Sequence, residues 1–231
     1  LHDDTLAHTP SGDVRRLDLS ALLEDDRDDV RPTKAAGASG AAAPHPQRLA
    51  YAMFTSGSTG VPKAVAVTHE DILALAADRR FAGHDRVLMY APHAFDASTY
   101  ELWVPLLNGG EVVVADAGVE GAAALERTVR DHGVRQAWLT AGLFQSLVDT
   151  APGLFASLRE VWAGGDVLPA DAVRRLRALH PALTIVNGYG PTETTTFALS
   201  HAIGADGGAG PLPIGTPLDG IRADVLDRLP Q

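Results

Sequence analysis

Apolar positions along the chain alternate between short runs and longer stretches of helical period. Residues 49–54, Leu-Ala-Tyr-Ala-Met-Phe, form a short apolar run, the pattern of a buried strand. The run breaks at Thr55 into a stretch without large side chains and resumes at residues 63–68 as a second strand. Residues 70–81 predict a helix with Ile72, Leu73, Leu75 and Ala76 on its apolar face. Strands are then expected at 86–90, 111–115, 136–139, 158–163 and 183–186. Helices are expected between them at 97–107, 119–132, 142–149 and 169–179, the last with Pro169 in its first turn. Strand alternating with helix predicts an α/β fold, a doubly wound and mostly parallel sheet flanked by helices. Such sheets bind ligands beyond the carboxyl ends of their strands. The loops expected to matter are therefore 55–63, 91–97, 163–167 and 187–193.

The organisation predicted is an acidic portion and flexible linker over 1–48, an α/β core over 49–210, and the start of a β-rich part over 211–231. Asp25, Asp26, Asp28 and Asp29 nearly abut, residues 14–23 suit a strand and a short helix, and 33–48 is low in complexity. Residues 221–226 are expected to be the first strand of the β-rich part. Leu1 is not a natural start, so residues are expected before it. The chain has 231 residues, 45% of them hydrophobic, so the composition supports a sizeable core. A formal net charge of −10 argues against a nucleic-acid partner. With no cysteine there is no disulfide framework and no thiolate metal site. No run reaches the length of a membrane span and no secretory leader opens the chain, so no membrane partner and a cytoplasmic location are the default expectations.

Three loops carry candidate chemistry. In Thr55-Ser56-Gly57-Ser58-Thr59-Gly60-Val-Pro-Lys63, glycines allow close backbone approach to an anion, hydroxyls add donors, and Lys63 adds charge. A P-loop is excluded, because Pro62 precedes the lysine, Ala64 follows it, and the next segment is a strand. The same composition also suits a plain Ser/Gly turn. In Asn187-Gly188-Tyr189-Gly190-Pro191-Thr192-Glu193, Asn187 offers a donor and an acceptor to a nucleobase edge. Tyr189 offers a ring to stack, Thr192 a hydroxyl for phosphate, and Glu193 a carboxylate for Mg²⁺. A glycine-proline turn ending in a capping threonine is the alternative. Asp96 at the start of a helix is either a cap or a ligand carboxylate, and one group cannot serve both. His69, His93, His180 and His201 show no metal-ligand spacing, though His93 lies just before the Phe95-Asp96 loop.

The first of these loops resembles the phosphate loop of the adenylate-forming enzymes, departing only at Ala64, where those enzymes usually have glycine. The second is similar to their Asn-x-Tyr-Gly-Pro-Thr-Glu motif at every fixed position. From about residue 49 onward the chain resembles part of a nonribosomal peptide synthetase adenylation domain. The resemblance implies an adenylate-forming enzyme fold, incomplete, with the start of a β-rich subdomain at the C-terminal end. It implies that Thr55 to Gly60 and Lys63 hold phosphates, and that Gly164, Gly165 and Asp166 lie beside the nucleotide. Asn187, Gly188, Tyr189 and Gly190 would hold adenine. Thr192 and Glu193 would act in catalysis, through the α-phosphate and Mg²⁺ respectively. Phe95 and Asp96 would meet the amino acid, with Asp96 on its α-ammonium. The side-chain pocket would add Ala97, Tyr100, Trp138, Trp162, Gly164, Gly188, Thr196 and Phe197. With no second charged residue among these, aromatics filling space and Gly164 and Gly188 leaving some, a small branched aliphatic substrate is expected, valine first.

The activity so implied is formation of an aminoacyl-adenylate from ATP and an amino acid, followed by loading of a phosphopantetheine thiol on a peptidyl carrier protein. An MbtH-like helper protein is a further partner the resemblance allows. The family's Thr/Ser-Gly-Asp ribose loop and mobile catalytic lysine are not in this stretch, so residues 1–231 alone are expected not to turn over. Two other functions stay open. One is an acyl- or aryl-CoA ligase, which Asp96 argues against. The other is a non-catalytic scaffold fragment.

Overall fold

The structure, a computed structural model, describes residues 45–56, 61–115, 121–204 and 210–226. The acidic portion, the expected elements at 14–23, most of the linker, and Gly57, Ser58, Thr59 and Gly60 lie outside the described residues.

Strands β1 (Leu49–Thr55) and β2 (Lys63–Thr68) pair antiparallel as a two-stranded sheet, with Tyr51 opposite Val67 and Thr55 opposite Lys63. Helix α1 (His69–Ala76) starts directly after β2. Thr68 and Asp71 form a capping box across its first turn, satisfying donors that a helix start leaves free. The expected helix over 70–81 ends at Ala76, and a short 3₁₀ turn spans Arg79–Phe81. The cause is Asp78, whose carboxylate accepts from the Arg80 N–H at 2.8 Å and competes with the helical ladder.

The main sheet holds β3 (Arg86–Met89), β4 (Glu111–Val114), β5 (Gln136–Thr140), β6 (Glu160–Gly164), β7 (Thr184–Tyr189), β8 (Leu199–Ala202) and β9 (Thr216–Pro217). Its order is β4-β3-β5-β6-β7-β8-β9. The first five are parallel; β8 and β9 continue the sheet antiparallel. Helices α2 (Ala97–Leu107), α3 (Ala122–Asp131), α4 (Ala141–Thr150) and α5 (Ala170–Leu179) make the crossovers. The class is therefore α/β, with a mixed and mainly parallel sheet.

Alternation along the strands divides the core in two. Leu88, Ala137, Leu139, Val161, Ala163 and Ile185 pack with α3, α4 and α5. Their neighbours Val87, Trp162 and Val186, with Trp138 beside them, pack with α1 and α2. Successive strand side chains point to opposite faces, so each strand serves both layers. From β3 the chain goes to β4 on one side, then returns past β3 to β5 on the other. The carboxyl ends of β3 and β5 therefore flank the point where the winding reverses, where open α/β sheets leave a crevice.

No strand forms at 221–226. Ile221 packs against the core, but Val225 and Leu226 are 100% and 86% exposed.

Candidate active site

A cavity of about 370 Å³ opens at that reversal, between Tyr90-Ala91-Pro92 after β3 and Leu139-Thr140 at the end of β5. A second cavity, of about 340 Å³, lies beside it, lined by Asp166, Val167, Leu168, Asn187 and Tyr189. Gly165, Gly188 and Gly190 belong to both walls. Two of the strand-end glycines are required by close approach. A Cβ on Gly164 would run into the carbonyl of Gly188, its partner across β6 and β7. A Cβ on Gly188 would sit 2.9 Å from Phe197 Cε1 and 3.0 Å from Trp162 Cε3. The room these glycines leave, expected for substrate, is thus taken by neighbouring protein.

Asp96 occupies the position before α2, yet its carboxylate makes no capping hydrogen bond. The turn is closed instead by Ser98, whose hydroxyl donates to the Phe95 carbonyl at 2.7 Å, and by the Thr99 N–H on the Asp96 carbonyl at 2.8 Å. The half-buried Asp96 carboxyl lines the first cavity. Burial pushes it above the usual carboxylate range and the nearby negative Glu193 adds to this, while the Thr192 hydroxyl and the backbone N–H groups of Ala97 and Asp96 act in the opposite sense. No ion pair among the described residues involves Asp96.

Thr192, Glu193 and Thr194 form a 3₁₀ turn between the antiparallel β7 and β8. Thr195 and Thr196 follow at φ 56° and 75°. Left-handed backbone is unusual for β-branched residues and is a form of local strain. It is held by the Thr195 N–H on the Thr192 carbonyl at 3.1 Å and the Ala198 N–H on the Tyr189 carbonyl at 2.8 Å. The outcome is that Thr196 Oγ1 donates to the Asp96 carbonyl at 2.7 Å, tying the Asp96 loop to the Thr192 turn.

Glu101 is a wall residue that the sequence pattern did not reveal. Its Oε2 accepts from the N–H groups of Tyr90 at 3.0 Å and Ala91 at 2.9 Å, which fixes the loop leading to Asp96. Its Oε1 is buried without a partner. Burial pushes the carboxyl up to about 7, against the pull of the two N–H groups. This corrects the expectation that no second acidic side chain lines the pocket; a carboxyl held at about 7 is divided between its neutral and charged forms near neutral pH. The sequence signal was a charged residue inside an otherwise apolar helix stretch. Trp138 Nε1 is a second buried polar atom without a partner in the same wall.

The remaining predicted residues divide by place. Ala97, Gly188, Thr196 and Phe197 line the first cavity, and Phe95 stands 63% exposed at its edge. Tyr100, Trp162 and Gly164 stand behind the wall. Asn187 is buried and its Nδ2 donates to the Pro213 carbonyl at 2.8 Å, so one side of the amide is already engaged. Tyr189 is 47% exposed over the second cavity, leaving ring surface for a flat ligand. Gly165 has φ 78°, and Asp166 takes the Val167 N–H at 2.7 Å, which closes the turn after β6. Thr55 and exposed Lys63 face each other at the mouth of the β1–β2 hairpin, with Ser56 next. β2 packs against the Thr192–Thr194 turn, which brings the hairpin and the motif loop to one region. His93 lines a separate groove with Tyr51 and Trp103.

Glu193 is exposed and unpaired among the described residues, where no group of three or more potential metal-ligating side chains gathers. One accessible carboxylate fits Mg²⁺, which takes most of its other ligands from phosphates and water. No described helix is long and apolar enough to cross a membrane.

Comparison with known proteins bears on the family and the fold. The family described as AMP-binding enzyme matches residues 3–230. A linear gramicidin synthase of Brevibacillus parabrevis is 36% identical over 79% of the chain, and surfactin synthase subunit 2 of Bacillus subtilis 37% identical over 79%. The chain spans only 4% and 5% of the length of those two proteins. Among solved structures, PA1221, a nonribosomal peptide synthetase protein containing adenylation and carrier domains, is similar with TM-score 0.74 and 41% identity. That match covers 78% of this chain and 38% of PA1221. An artificially fused adenylation–carrier di-domain, NpsA-ThdA from Klebsiella oxytoca, matches with TM-score 0.76 and 28% identity over 91% of this chain and 42% of its own.

Proposed function

The chain belongs to the AMP-binding enzyme family, and from that premise we propose that it carries the amino-acid and nucleotide subsites of an adenylation domain. The reaction is attack of an amino-acid carboxylate on the α-phosphorus of ATP. It releases pyrophosphate and leaves an aminoacyl-adenylate. The observation that carries the reading is the pair of adjoining cavities sharing Gly165, Gly188 and Gly190. An apolar chamber with Asp96 in its wall adjoins a chamber flanked by Asn187 and Tyr189. The junction is where a carboxylate and an α-phosphate would meet.

Each residue then has a physical task. Asp96, uncapped and without a cation, receives the α-ammonium, which supplies the counter-charge it lacks. Thr192, facing Asp96 at the start of the turn, donates to the phosphate; Tyr189 stacks on adenine, with the remaining amide group of Asn187 at its edge. Lys63 and the hydroxyls of the Thr55 to Gly60 stretch hold the leaving pyrophosphate. Glu193 holds Mg²⁺, which when bound neutralises phosphate charge. The protein does little covalent chemistry here, so positioning and electrostatic stabilisation dominate.

The substrate favoured is a small branched aliphatic amino acid, valine first. Ala97, Trp138, Leu139, Leu143 and Phe197 give the chamber an apolar lining, in which an acidic side chain would be left unpaired beside Glu101. Transfer to a phosphopantetheine thiol on a carrier domain completes the sequence; the carrier domains present in PA1221 and the NpsA-ThdA fusion support that partner. The test is amino-acid-dependent pyrophosphate exchange by the full-length protein that carries this chain. Valine is expected first, isoleucine second, and Asp96→Ala is expected to abolish exchange. Preference for a charged or aromatic amino acid would overturn the substrate, and activity retained by Asp96→Ala would overturn the role given to Asp96.

A further inference from the structure

Behind the first cavity lies a chain of polar contacts inside an aromatic layer. The Tyr100 hydroxyl meets His84 Nδ1 at 3.0 Å, and His84 Nε2 meets Glu160 Oε1 at 3.1 Å. Trp162 Nε1–H donates to the same Glu160 oxygen. Tyr100 and Trp162 are fully buried and His84 is 3% exposed. Phe81 packs on all three, with centroids 5.2 Å from His84, 5.4 Å from Tyr100 and 5.0 Å from Trp162. Only Glu160 reaches solvent, in a surface cleft beside Arg80.

This layer is the backing of the cavity wall. Phe197 and Gly188 line the cavity. Trp162 lies 4.9 Å from Phe197 by ring centroids, and Tyr100 meets the same ring edge-on at 5.4 Å. The Trp162 ring also fills the space where a Cβ of Gly188 would be. The wall is one ring thick, so the two rings behind it fix how far it yields.

We propose that His84 and Glu160 are positioning residues for substrate selectivity, locking Tyr100 and Trp162 so that the cavity keeps one depth. This rests on the reading of that cavity as the seat of the substrate side chain. Packing alone permits aromatic rings small rotations; hydrogen bonds to defined atoms remove them, and a buried network is costly to leave partly made. Burial, with the negative charges of Glu160 and Glu101, keeps the Tyr100 phenol protonated far above neutral pH. The Glu160 carboxylate only accepts, so the hydrogen sits on His84 Nε2, and His84 Nδ1 takes the Tyr100 hydroxyl hydrogen. Every donor in the chain has an acceptor. A fixed wall is what discrimination of one methylene requires, since that group alone is worth about 10–200-fold.

The experiment is amino-acid-dependent pyrophosphate exchange by the full-length protein and three variants, with melting temperatures measured alongside. Tyr100→Phe deletes one hydroxyl and keeps the ring; His84→Leu breaks the chain; Glu160→Gln keeps an acceptor oxygen for both donors. The first two are expected to lower the kcat/KM ratio of the preferred amino acid over its one-methylene-longer homologue by about tenfold. The change should lie in amino-acid KM, with KM for ATP unmoved. Glu160→Gln should hold the ratio within about twofold, because its carbonyl still accepts both bonds. A fall in melting temperature with an unchanged ratio in Tyr100→Phe and His84→Leu would make the network structural only and overturn the proposal. Absence of exchange with any amino acid in the unaltered protein would overturn the parent reading, and this one with it.

Discussion

The two faces of the main sheet are built on different chemistry. The face covered by α3, α4 and α5 is filled by aliphatic side chains with Phe144 and Phe155 among them. The opposite face, under α1 and α2, holds Phe81, Tyr100, Trp162 and Phe197. Most of the fully buried polar or charged side chains among the described residues lie outside α3, α4 and α5, among them Asp78, His84, Glu101, Thr195 and Thr196; Asn187, beyond Ile185 on β7, and the buried Arg177 Nε of α5 belong to the aliphatic side. Apolar burial is non-directional and tolerates repacking, whereas a buried polar group needs a partner at a defined point. The aliphatic layer under α3, α4 and α5 therefore supplies mainly stability, and it meets the cavities only at its strand ends. The aromatic face holds most of the fixed atoms, and the first cavity opens beside its Phe197 and Trp138; the second lies at the strand ends, with Leu168 and Leu212 of the aliphatic side in its wall.

The strongest way to break this comparison is a cavity in the aliphatic face. Phe144 is fully buried and meets Phe155 edge-on at 5.9 Å. Phe144→Ala is expected to lose about 3–5 kcal/mol of unfolding free energy in urea titration. Protein that remains folded should show an unchanged amino-acid preference. A changed preference at equal folded fraction would mean that the two faces are coupled.

Much of the aliphatic face was legible in the sequence, and much of the other was not, for the same reason. Leu125 and Val129, or Ala172, Val173 and Leu176, repeat at helical spacing because one face of each helix is buried. The alternation Val87/Leu88 and Val161/Trp162 likewise follows from strands buried on both sides. The motif loops at 55–63 and 187–193 were legible as glycine-rich breaks at strand ends. The Tyr100–His84–Glu160 chain was not, because its members are 16 and 76 residues apart and only the sheet brings them together. Positive φ at Thr195 and Thr196 was equally hidden, since threonine does not announce left-handed backbone as glycine does. The over-long helix at 70–81 missed Asp78 acting as a local acceptor, and the stretch at 221–226 has an apolar pattern but pairs with none of the described strands.

Glu101 gives a sharper contrast through pH. Its carboxyl is pushed up to about 7 from an ordinary 4.5, so between those values the folded state keeps a proton that the unfolded chain has released. Stability on this account falls as pH rises through the window, the reverse of a salt-bridged carboxylate. The whole effect is at most about 3 kcal/mol. Glu101→Gln cannot titrate, so its stability minus that of the unaltered protein should climb with pH across the window and level off above it. Urea unfolding at a series of pH values reads this directly. A flat difference would show that Glu101 is solvated and that the polar face is less dry than the aliphatic one.

The smallest effect concerns strain, which also separates the faces. Thr195 and Thr196 are the only non-glycine residues at positive φ among those described, and both lie at the strand ends that hold the site. Left-handed backbone costs a residue with a Cβ roughly 1–2 kcal/mol, and asparagine bears it better than a β-branched side chain. Thr195 is buried at φ 56° and ψ 66°, and its hydroxyl makes no described hydrogen bond. Thr195→Asn should therefore gain about 0.5–1 kcal/mol, less whatever its larger amide costs on burial. Because the left-handed turn is kept, the Thr196 hydroxyl should still reach the Asp96 carbonyl and amino-acid preference should not move. Thr195→Val keeps the shape and the strain, so it should not stabilise. If the asparagine variant is the less stable of the two, the turn is relaxed as it stands, and strain does not distinguish the polar face from the aliphatic one.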